Sequence, residues 1–163
     1  KRGWSYGAYS PATQHKDLSS WTMWIFPASA DALPAIGLIL KMLEELNAEG
    51  ITEDELTYAR SSIINSAAFY DDTPSKRLSY AVRKLQTGYD PLALIPLVKA
   101  VTLEEAKAAA ARDFHPDGLF GTVVGTATAE VPVPEGEGTT TLVDGLKALF
   151  GEDGVEVVPF DRE

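Results

Sequence analysis

Apolar positions along the chain change period several times, and each change marks an element. Residues 4–10, Trp-Ser-Tyr-Gly-Ala-Tyr-Ser, are rich in aromatics and bounded by Gly and Pro, which predicts a strand. Residues 18–27 predict a second strand, stopped by Pro27, with Pro11 to Asp17 as a hairpin loop between them. Ile36, Ile39, Leu40, Leu43 and Leu46 recur at three- and four-residue spacing, so residues 31–48 read as a helix closed by Gly50. Thr52-Glu53-Asp54-Glu55 is a capping box, in which the Thr hydroxyl and the Glu carboxylate each satisfy a backbone N–H at the start of a helix. That helix runs to about Tyr70. Pro74 opens the next one, which Gly88 closes after Thr87. Pro91 to Lys99 reads as a short apolar helix, and Thr102-Leu103-Glu104-Glu105 is a second capping box opening an Ala-rich helix to about Phe114.

His115-Pro116-Asp117-Gly118 reads as a turn, and Leu119 to Gly125 as a buried strand. Val131 to Gly138 is rich in Pro, Gly and Glu and reads as linker. A short amphipathic helix carrying Leu142, Leu146, Leu149 and Phe150 follows, then a last strand, Val155 to Val158. Few strands and grouped helices predict an α+β domain, with helices packed on one face of an antiparallel sheet. That sheet is small for so many helices, and further strands are expected from outside this chain. Lys1-Arg2-Gly3-Trp4 opens the sequence with no initiator Met and no apolar targeting segment, as an excerpt of a longer polypeptide would.

Charge narrows the function classes. The 163 residues carry a net charge of −10, the opposite of what a phosphate backbone recruits, so nucleic acid is not the expected partner. From Ala127 onward nine carboxylates face only Lys147 and Arg162, which concentrates the acidity in a solubilising tail or a docking surface for a basic partner. Lys76, Arg77, Arg83 and Lys84 share one predicted helix with Tyr80, as a solvated face or a local contact for carboxylates. There is no cysteine, which removes disulfides, thiolate zinc sites and cysteine nucleophiles. The longest apolar run beside a helix, Leu33 to Leu40, is far too short for a membrane span.

Catalytic constellations are sparse. His15 and His115 are the two histidines, and neither lies in an H-E-x-x-H, H-x-x-E-H or His-x3-His pattern, so no helical pair of zinc ligands is expected. Gly3-Trp4-Ser5-Tyr6-Gly7 has the letters of a nucleophile elbow but is followed by Ala-Tyr-Ser-Pro rather than a helix, so the strained turn that exposes the hydroxyl is not built. Gly121-Thr-Val-Val-Gly125 lacks the Lys and Ser/Thr of a phosphate loop.

Four segments taken together resemble the insulinase/pitrilysin-like (M16) zinc peptidases. Lys1-Arg2-Gly3-Trp4-Ser5-Tyr6-Gly7-Ala8-Tyr9-Ser10 is similar to that family's R-x-K-R-G-L-A-Y-x-x-x-S segment. Ile51 to Arg60 resembles its G-[IV]-T-x-x-E-L-x-x-A-[KR] helix start, Val101 to Ala106 its A-V-T-x-E-[ED]-[VA] segment, and Leu119 to Gly125 its closing strand. The resemblance covers residues 1–126 and implies the second half of a non-catalytic, C-terminal M16 domain, followed at 127–163 by an acidic linker with a short helix and strand. In such families two homologous domains form a clamshell. One half carries H-x-x-E-H and zinc; the metal-free half reaches the substrate with the Arg and Tyr of an R-x6-Y segment. Tyr6 matches that Tyr, and is the substrate-binding residue the resemblance implies, while the matching Arg falls two positions before Lys1 and Arg2 does not take its place. The resemblance therefore implies no cofactor and no catalytic residue in this chain, zinc in the catalytic half of the same polypeptide or of a partner chain, and a peptide substrate. A non-enzymatic M16-like assembly or scaffold subunit is the alternative. The compartment is open, with a bacterial periplasm or cell envelope as the working expectation.

Overall fold

The computed structural model describes residues 3–14, 17, 19–88, 90 and 93–160. Among these the chain is mixed α and β. The strands are β1 (Ser5–Tyr9), β2 (Ala12–Gln14), β3 (Ser19–Trp21), β4 (Trp24–Pro27), β5 (Glu130–Pro132) and β6 (Thr139–Thr141). The helices are α1 (Ala32–Glu49), α2 (Glu53–Ser66), α3 (Pro74–Thr87), α4 (Leu94–Ala100), α5 (Leu103–Asp113) and α6 (Leu142–Phe150). All strand pairs are antiparallel, but they form three separate two-stranded ladders, β1–β4, β2–β3 and β5–β6, rather than one sheet carrying helices on a face. No helix among the described residues is long and apolar enough to cross a membrane.

The chain divides into two compact units. The first is built from Lys1–Tyr9, Met23–Glu44 and Pro116–Glu163. Its core is Leu33 from the first turn of α1, Val131 from β5 and Leu142 from α6, each at most 4% exposed, with Ala32, Leu146 and Leu149 around them. Residues 131–138, read from composition as linker, instead supply β5 and the turn into β6, and place Val131 at the centre of this cluster. Backbone bonds from Leu142 N to Ala129 O (2.9 Å) and from Val143 N to Ala127 O (2.9 Å) tie the start of α6 to the same segment. Leu119 to Gly125, expected as a buried strand, pairs with no described strand. Phe120 and Val124 stand 93% and 95% exposed. Residues 155–158 likewise join no ladder among the described residues. High β-propensity reflects fit to a neighbouring strand, and neither segment has one here.

The second unit comprises Ser10–Thr22 and Glu45–His115. Both capping boxes are formed. Glu55 N donates to Thr52 Oγ1 (3.2 Å), and Thr52 N donates back to the Glu55 carboxylate (2.8 Å). Thr102 and Glu105 repeat the geometry at 3.2 and 2.8 Å. Arg60 on α2 donates to Val98 O (3.3 Å) and Val101 O (2.7 Å), latching α2 to the end of α4. Gly50 turns the chain between α1 and α2 at φ +71, and a Cβ there would lie 2.6 Å from Lys107 Cγ, so both its conformation and its neighbour require glycine.

These boxes are expected to act on stability. Thr52→Ala and Thr102→Ala are each expected to lower the unfolding free energy by ~0.5–2 kcal/mol, read by urea titration. They also set a pH response. The Thr52 backbone N–H, then its hydroxyl, hold the Glu55 carboxyl below its ordinary range, and Thr102 does the same to Glu105. A carboxylate whose folded pKa is depressed contributes stability above its unfolded value, and that contribution disappears as pH falls through the folded value. Melting temperature is therefore expected to drop more steeply below the ordinary Glu pKa of 4.5 in the native chain than in a Glu55→Gln/Glu105→Gln variant. Parallel acid profiles would refute the assignment.

Candidate functional site: the bulged β1–β4 ladder

β1 pairs with β4 through Ser5↔Pro27, Ala8↔Ile25 and Tyr9↔Trp24, and the register shifts between Ser5 and Ala8. Ser5 itself organises this irregularity. Its hydroxyl donates to Gly7 O at 2.6 Å and accepts from Phe26 N at 3.0 Å. A side chain thus takes the place of a main-chain partner, and the two intervening residues, Tyr6 and Gly7, bulge out of the ladder. Gly7 has a packing reason of its own: a Cβ there would meet the Tyr9 ring at 2.9–3.0 Å. The serine of the Gly3-Trp4-Ser5-Tyr6-Gly7 string is accordingly spent on backbone hydrogen bonds within a strand, with no strand-to-helix turn behind it.

Tyr6 lies in the bulge and is fully exposed, at 103% of its reference area. An aromatic on a strand is ordinarily explained by packing on the sheet, but among the described residues this ring packs on none and stands open to solvent. The phenol is available to donate to a carbonyl or to a developing oxyanion. Tyr9, Trp24 and Phe26 are also more than half exposed. Trp24 and Phe26 share one face of β4 by the period of two, and Tyr9 opposite Trp24 joins them. The ladder therefore presents a bulged phenol together with an aromatic face.

No group of three or more His, Asp or Glu side chains able to hold a metal occurs among the described residues. His15 lies outside them, as do Lys1 and Arg2. His115 has a local role beside the end of α5. The Asn47 side-chain amide donates to Ala111 O (3.2 Å) and Phe114 O (2.9 Å), satisfying carbonyls left open there, and its nitrogen lies 3.4 Å from His115 Nδ1. Trp21 packs edge-on against Phe114 at 4.7 Å between ring centroids and donates its indole N–H to Ser10 Oγ at 2.7 Å, so this aromatic of the second predicted strand is structural.

The resemblance pointed to Tyr6. It did not reveal the Ser5-held bulge, whose signal in the sequence is a small hydroxyl residue followed by an aromatic and a glycine within a strand pattern. Comparison with known protein families, curated proteins and solved structures gives no match.

Proposed function

We propose that this chain is a metal-free, substrate-side portion of an M16-type zinc metallopeptidase, with the insulinase/pitrilysin-like fold completed by polypeptide outside it. The observation that carries the reading is Tyr6: the position the family segment assigns to substrate contact holds a phenol that is fully exposed and set in a bulge. Bulges re-aim side chains away from the ladder, which suits a residue that must reach a ligand. In this role Tyr6 donates its O–H to a carbonyl of an extended peptide, and the Ser5 hydrogen bonds hold the bulge that positions it.

The described residues do not fit a zinc ion, because no three ligands converge. Zinc and the bond-breaking chemistry are assigned to the catalytic M16 half, on the same polypeptide or on a partner chain, and no proteolysis to this chain alone. The purified, tag-free chain is expected to retain no stoichiometric zinc after mild dialysis and to leave a quenched peptide uncut. The full-length polypeptide, or the chain mixed with its catalytic half, is expected to hold zinc and cut it. Stoichiometric zinc in the isolated chain, or neither property in both the full-length polypeptide and its mixture with the catalytic half, would sink the proposal. The second outcome favours a non-enzymatic assembly or scaffold subunit, for which the exposed aromatic face of Tyr9, Trp24 and Phe26 would serve as a packing surface.

A further inference from the structure

We draw no further inference here: the strongest candidate, the uncharged surface segment Leu119 to Gly125 with Phe120 and Val124 exposed, pairs with no strand among the described residues, and nothing in the structure shows what covers it.

Discussion

Leu33→Ala is expected to lower the unfolding free energy of the chain by ~2–5 kcal/mol. Leu33 is completely buried, and with Val131 and Leu142 it makes up the buried cluster of its unit. The substitution removes three carbons and leaves a cavity whose walls belong to α6 and β5, elements tied down by their own hydrogen bonds and unable to close it fully. A loss of that size is a large part of the total stability of a domain. Leu85→Ala, the same truncation at an exposed position, is expected to change stability by no more than about 0.5 kcal/mol. The neighbouring Gly145 sharpens the test. A Cβ at 145 would collide with Leu33 Cδ2 and lie 3.1 Å from Thr140 Cγ2. Gly145→Ala alone should therefore destabilise by overpacking, although Ala favours a helix over Gly by ~0.8–1.0 kcal/mol. In the Leu33→Ala background the clash with Leu33 is relieved while Thr140 stays close, and Gly145→Ala should cost markedly less than in the native background. Urea unfolding of the four chains in this cycle measures both effects. Additive changes, or equal costs for Leu33→Ala and Leu85→Ala, would show that the core lies elsewhere.

The parts legible in the sequence are those with local causes. Thr52 and Thr102 announce their helices because a capping box is closed within four residues, and both boxes form as read. Pro74 and Gly88 bound α3 for the same reason: one fixes φ at a helix start, the other takes the left-handed conformation at its end, at φ +73. The failures are non-local. Val131 sits among Pro, Gly and Glu, so its neighbourhood reads as linker, while its burial depends on Leu33 almost a hundred residues earlier. Leu119 to Gly125 errs the other way. The residues suit a buried strand, but a strand is a property of a pair, and no partner lies beside it among the described residues. The two aromatic strands read at 4–10 and 18–27 become four short ones, because the hairpin is split into β1–β4 and β2–β3 and the first ladder is bulged by Ser5. Tyr6 became a candidate through the resemblance, since one tyrosine in a strand pattern carries no signal of its own. Its exposure depends on a bulge that a serine hydroxyl creates through contacts with Gly7 and the distant Phe26.

On the proposed peptidase reading, Tyr6→Phe in the protein assembled with its catalytic half is expected to reduce kcat/KM while leaving zinc content and melting unchanged. The substitution removes the hydroxyl alone. The ring is fully exposed, so the substitution removes no packing among the described residues. A donor aimed at a developing oxyanion is worth ~2.7–4 kcal/mol, or roughly 10²–10³ in rate, because it meets more charge in the transition state than in the bound peptide. A donor that only holds the ground-state carbonyl acts on both states alike and would raise KM with kcat nearly intact. Steady-state kinetics on a quenched peptide therefore separate the two roles. The bulge supplies a companion measurement. Ser5→Ala deletes the hydroxyl that accepts from Phe26 N and donates to Gly7 O, without touching the phenol. If the bulge positions Tyr6, Ser5→Ala lowers kcat/KM in the native background but adds little once Tyr6 is already Phe. Unaltered kinetics in Tyr6→Phe would remove Tyr6 from substrate contact. Full additivity of the two substitutions would leave Tyr6 a donor and separate the bulge from its function.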